Sequence, residues 1–227
     1  GCERPEVEEG PTANLASFAS PTVKMTARAP HLTGPHGAEL ERLLRELLEV
    51  DHSARLKEWT RCQGRSQLGL GCPPWSVLTE CESSTAGDVY SMVCRNRLTD
   101  ELGGRPSVDY RTLNVTHCQG GLYVLDFERE LCPEWACAPR LRTLLLATTG
   151  HPSTPVLSED PIALRHVLSQ FLPQKDRMLF YAGNSALYDL NPIEGAPFGH
   201  NVLALSYPQL REAAPSAAAW QQRLSLP

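Results

Sequence analysis

The chain has 227 residues, 41% hydrophobic and 21% charged, with 21 Lys and Arg against 26 Asp and Glu for a formal charge of −5. That composition fits a folded protein of one sizeable domain or two small ones and excludes wholesale disorder. The acidic balance argues against a nucleic-acid binder, whose footprint is a basic stripe, and no apolar run approaches the ~20 residues that a bilayer-spanning helix takes.

Residues 1–36 hold five prolines, three glycines and the acids Glu6, Glu8 and Glu9. Their density of turn formers predicts an extended arm with little regular structure. Residues 37–58 carry the clearest helix pattern. Leu40, Leu43, Leu44, Leu47 and Leu48 recur at helical spacing, and charged residues cover the opposite face. Such a stripe packs on the protein's own core in the commoner case, and in the sharper one it is offered to a partner subunit.

The stretch from 62 to 137 reads as short strands and turns. Val108–Thr112 alternates, a hairpin is expected around Cys118-Gln-Gly-Gly, and Leu122–Leu131 reads as a strand. Beyond it, Leu141–Thr148 is an apolar run consistent with a buried strand. Asp160-Pro161 is a strong helix start, an Asp cap with Pro in the first turn, and Pro173 ends that helix. Met178–Ala182 and Val202–Tyr207 read as strands, and Ser216 is placed to cap a last short helix. The fold class expected is α+β (mixed α/β). A disulfide-stapled β-rich region packs with an N-terminal amphipathic helix and a C-terminal strand-helix-strand crossover unit. The expected division is a 1–36 arm, a 37–137 helix plus cysteine-rich region, and a 138–227 cysteine-free region.

Eight cysteines are present: Cys2, Cys62, Cys72, Cys81, Cys94, Cys118, Cys132 and Cys137. An even number at dispersed spacing predicts a disulfide framework, and therefore an oxidising compartment. Structural zinc sites bring ligands in paired close spacings, and here Cys132–Cys137 is the one close pair. With seven cysteines clustered, Cys2 either pins the arm onto the cluster or pairs with another chain. Asn114-Val115-Thr116 is the one glycosylation sequon, so Asn114 is the expected glycan site. The start Gly1-Cys2, with no initiator Met or apolar signal region, suits a mature form after signal removal. A truncated ectodomain would look the same.

Two patterns approach catalysis. Gly183-Asn184-Ser185-Ala186-Leu187 follows an expected strand, as a nucleophile elbow does, with Asp189 and His200 further on. However, Leu187 replaces the second glycine, and a separation of four positions from Ser185 to Asp189 is short for such an architecture. Asp126, Glu128 and Glu130 alternate, which in a strand puts three carboxylates on one face, neighbours ~7 Å apart, a spacing open to glycosidase chemistry or a calcium site. A solvated acidic face is the commoner meaning. No H-E-x-x-H, P-loop or dinucleotide fingerprint appears, so neither a catalytic metal nor a cofactor is implied. The sequence therefore points to a secreted or surface-exposed disulfide-bonded glycoprotein, host or viral, acting through contacts with another protein, with linkage through Cys2 as one form. The alternative is a secreted hydrolase using Ser185 and His200, or the three carboxylates.

Overall fold

A computed structural model describes residues 1–65, 71–100, 106–149, 160–183 and 193–224. The fold is α+β. Six strands hydrogen-bond in chain order: β1 (Glu8–Ala19), β2 (Val23–Thr33), β3 (Trp75–Ala86), β4 (Val89–Asp100), β5 (Ser107–Cys118) and β6 (Gly121–Val124). The sheet is mixed: β1 and β2 pair antiparallel, β2 and β3 parallel. Three more, β7 (Phe171–Pro173), β8 (Arg177–Tyr181) and β9 (Val202–Ser206), form an antiparallel sheet. Two compact units result. One comprises Gly1–Pro5, Ser83–Val93 and Asp109–Pro227, and the other comprises Glu6–Glu82 and Cys94–Val108. β3, β4 and β5 each contribute residues to both units.

In the unit built on Glu6–Glu82, the supposed arm is a hairpin. Its turn is closed by Ser20, whose Oγ accepts the Val23 N–H at 2.9 Å beside Pro21. Along β2, Val23, Met25, Ala27 and Ala29 are buried while Lys24, Thr26 and Arg28 are exposed. That two-residue period is legible in the sequence but is masked by the surrounding prolines and glycines. The helix α1 (Gly37–Arg65) runs one and a half to two turns beyond its expected end and packs against β2. Gly37 is required at its start, since a Cβ there would lie 2.8 Å from the Leu32 carbonyl. Leu40, Leu44 and Leu48 are buried in this unit's core, and Leu43 and Leu47 are half-buried.

One turn past Leu48 the buried stripe of α1 becomes polar: Asp51, His52 and Arg55 are all buried. Asn96 on β4 donates through Nδ2 to Asp51 Oδ2 at 2.7 Å and accepts the Thr79 hydroxyl through Oδ1. The His52 ring stacks on Phe18 with centroids 5.1 Å apart. A buried amide that loses a charged acceptor costs about 2–3 kcal/mol. Asp51→Ala should therefore lower stability by about that amount, while Asp51→Asn, which keeps a carbonyl acceptor, loses less than half of it. The urea midpoint at unchanged m-value reads both.

The other unit holds the larger apolar core. The β5–β6 hairpin forms as expected, with Cys118 opposite Gly121 and with Gly120 and Gly121 at φ 105° and 125°. Three expectations are corrected after it. Residues beyond Val124 leave the strand, because Asp126 caps a short helix α2 (Phe127–Leu131) by accepting the Arg129 N–H at 2.9 Å. The run Leu141–Thr148 lies in a helix, α3 (Ala138–Thr149), rather than a strand. Leu141 and Leu145 are buried at i, i+4, and Leu, Arg and Ala are strong helix formers. Among the described residues the expected crossover connection is not formed, since β7, β8 and β9 run antiparallel.

The helix announced by Asp160-Pro161 is α4 (Pro161–Ser169), with Asp160 Oδ1 accepting the Ile162 N–H at 3.0 Å. It ends at Ser169, short of Pro173, which lies in β7. A capping box between Ser206 and Gln209 starts α5 (Tyr207–Ala213), and α6 (Ala217–Leu224) begins directly after Ser216. Phe127 lies at the centre of the core, 5.6 Å from the rings of both Phe171 and Phe180. Burial pushes the Tyr207 hydroxyl above the usual phenol range, and that hydroxyl donates to the Gln174 carbonyl at 2.6 Å.

Candidate functional site

All eight cysteines are paired: Cys2–Cys118, Cys62–Cys72, Cys81–Cys94 and Cys132–Cys137. Cys2 is thereby engaged within the chain and is not offered to another. Reciprocal backbone bonds at 2.8 and 2.9 Å between Glu3 and His117 continue what that bridge begins. Cys81–Cys94 joins neighbouring strands β3 and β4.

Asn114 is not placed as a glycan acceptor. Its side chain is 1% exposed; Oδ1 accepts from the Ser91 hydroxyl at 2.6 Å and Nδ2 donates to the Phe171 carbonyl at 2.8 Å. A glycan must leave through that nitrogen into solvent, and the native packing closes the way. The sequon is instead a core polar residue whose hydrogen bonds are met.

Among the described residues, the catalytic candidates do not assemble into a shared site. Ser185, with Asn184, Leu187 and Asp189, lies outside the described residues, and His200 is exposed in a turn beside Asn201 (φ 53°). Asp126 is engaged as the α2 cap, with Glu128 in that helix's first turn. Glu130 Oε1 accepts the Tyr123 hydroxyl at 3.0 Å and Arg129 Nε at 3.1 Å. Desolvation and the hydrogen bond to Glu130 hold the Tyr123 hydroxyl above its ordinary range. The Glu130 hydrogen bond likewise raises the Arg129 guanidinium. Helical geometry turns Glu128 away from its neighbours, so the single acidic face expected of a strand is not formed.

A different arrangement stands out in this unit. Cys132 and Cys137 clasp a single 3-10 turn, Pro133–Trp135, in which two consecutive non-glycine residues, Glu134 (φ 55°) and Trp135 (φ 58°), are left-handed. Each such residue costs about 1–2 kcal/mol. The turn is held by the disulfide, by the Trp135 N–H to the Cys132 carbonyl at 2.8 Å, and by the Cys137 N–H to Cys132 Sγ at 3.0 Å. Its effect is to place the Trp135 indole between the core and the surface. One side stacks on Phe127 at 6.2 Å, and the Arg165 guanidinium lies 5.8 Å from the ring centroid.

Trp135 lines a cleft of about 350 Å3 with Ala138, Pro139 and Arg142 of the α3 side and Asp160, Pro161, Leu164 and Arg165 of the α4 side. The wall is apolar and the charges are two guanidiniums and one carboxylate. The sequence reading missed this site because Trp135 and Arg165 are thirty positions apart and no short motif joins them. The one available signal was the close Cys132–Cys137 spacing around a tryptophan.

No family model matches the chain, and no curated protein does. Among solved structures, the chain is similar to a DUF3298 family protein from Pseudomonas aeruginosa PAO1, at 14% identity and a TM-score of 0.44, over 93% of this chain and 95% of that one.

Proposed function

We propose that the protein works outside the reducing cytosol by binding another protein, and that the Trp135 cleft is where it does so. Four intrachain disulfides using every cysteine support an oxidising compartment. Among the described residues no helix is long and apolar enough to cross a membrane.

The observation that carries the binding reading is the strained, disulfide-clasped turn that presents Trp135 beside Arg165 and Arg142. Backbone strain held by surrounding structure concentrates at functional positions, and Trp and Arg are the residue types enriched where interfaces concentrate their energy. This reading does not draw on the leucine stripe, of which Leu40, Leu44 and Leu48 are buried in the core of their own unit. Nor does the reading include a glycan at Asn114.

The test compares immobilised wild-type protein with a Trp135→Ala column over the fluid surrounding the producing cells. A protein retained by the first, lost from the second, and rebinding when purified is the expected result. If every purified binder holds both columns equally, the cleft is not the binding surface.

A further inference from the structure

We infer that the outer face of strands β2, β3 and β4 binds an anionic polysaccharide chain, held by Lys24 and Arg97 with hydroxyl groups between them. This face belongs to the unit built on Glu6–Glu82, whereas Trp135 belongs to the other unit.

The two-residue period of the strands assembles the face. On β2, Lys24, Thr26 and Arg28 are exposed and alternate with the buried Val23, Met25 and Ala27. The parallel register sets Lys24 beside Ser76 and Thr26 beside Leu78 on β3. Arg97 and Thr99 of β4 complete a cleft of about 430 Å3 with these residues. The Thr99 hydroxyl donates to the Ser76 carbonyl at 3.4 Å, while Thr26 and Ser76 are exposed.

On a chain of formal charge −5, the lining of this cleft includes two cations and no carboxylate. Among the described residues neither Lys24 nor Arg97 is ion-paired. Two acids lie elsewhere on the same face. Glu80, opposite Arg28, accepts from Arg95 Nη2 at 2.7 Å, and the exposed Glu82 lies ~20 Å along the strand from Ser76. The clefts at Arg61 and Lys57 on α1 differ, because Glu58 lines the first and Glu46 and Glu49 line the second.

The surroundings select a narrow, anionic occupant that is poor in carbon. Leu78 is the one exposed apolar side chain in the lining, so a folded partner finds no apolar centre to bury. Strands β2 and β3 are interior to the sheet and their main chain pairs with neighbouring strands, which leaves a peptide backbone unmatched. No aromatic side chain lines the cleft for a nucleobase to stack on. A planar anionic membrane would meet the repulsion of the whole acidic molecule, whereas a single chain lies within reach of the local cations. A polysaccharide bearing carboxylates or sulfates meets all four conditions, and its own hydroxyls match those of Thr26 and Ser76.

The probes are size-defined heparin and polygalacturonate oligosaccharides, titrated calorimetrically, with dextran as the neutral control and poly-glutamate as the peptide control. Wild-type protein should bind one or both charged oligosaccharides about tenfold more tightly than either control, with affinity falling as salt rises. Lys24→Ala with Arg97→Ala should weaken that binding by about tenfold. Lys57→Ala with Arg61→Ala removes the same charge from α1 and should leave it unchanged. All four side chains are exposed, so both double variants should keep the wild-type melting temperature. Failure to bind either charged oligosaccharide, equal or tighter binding of poly-glutamate, or equal weakening by the two double variants overturns the inference.

Discussion

Replacing Cys2 and Cys118 together by serine should lower the unfolding free energy by about 5 kcal/mol, from the loop-entropy cost of a closure spanning 116 residues. The other bridges close 10, 13 and 5 residues, worth about 2–3 kcal/mol each on the same reasoning. The effect acts on the unfolded chain: without the bridge, the first residues are released from the middle of the sequence when the protein unfolds. In the folded state the Glu3–His117 backbone bonds remain, together with the Arg4 Nε bond to the Gly87 carbonyl at 2.8 Å. Denaturant titration without reductant should thus show a large loss of stability. Hydrogen exchange should speed at Glu3 and His117 by local opening, and at the most protected core amides by the lowered cost of global unfolding. A loss below about 1 kcal/mol would mean that this pair does not constrain the chain.

Truncating Phe127 to alanine has the next largest effect, about 3–5 kcal/mol. The side chain is fully buried and meets Phe171 at 60° and Phe180 at 80°, the tilted and edge geometries that aromatic quadrupoles favour. It also supports the indole of Trp135 from the core side. The variant should therefore lose near-ultraviolet circular dichroism as well as stability, while Phe127→Leu, which leaves a smaller void, should cost under half as much. Equal costs for the two substitutions would show that loss of the ring contacts, rather than the void left behind, sets the effect.

Much of the architecture was legible because it rests on local chemistry. The Asp160-Pro161 start follows from a side chain capping nearby backbone, the turn at Gly120-Gly121 from the missing Cβ, and the leucine register of α1 from helical periodicity. What failed depended on contacts distant in sequence. The Leu141–Thr148 run satisfies a buried strand and a buried helix equally, and only its neighbours decide between them. Asn114 fits a sequon, yet its amide is used by Phe171, fifty-seven positions away. Asp126, Glu128 and Glu130 alternate as a strand would, but Asp126 serves as a helix cap and the register changes from two to 3.6 there. The buried Asp51, His52 and Arg55 could have been found by carrying the α1 stripe past Leu48, where the periodic positions turn polar.

The binding account depends most on the turn between Cys132 and Cys137, which fixes Trp135, and on an environment that keeps that turn oxidised. Peptide mapping by mass spectrometry of unreduced protein, recovered from the cells that make it and alkylated at once, tests both together. The expected result is four intrachain pairs, 2–118, 62–72, 81–94 and 132–137, with no alkylated thiol and an unmodified Asn114. Free thiols at Cys132 and Cys137, or either of them bridged elsewhere, would contradict it.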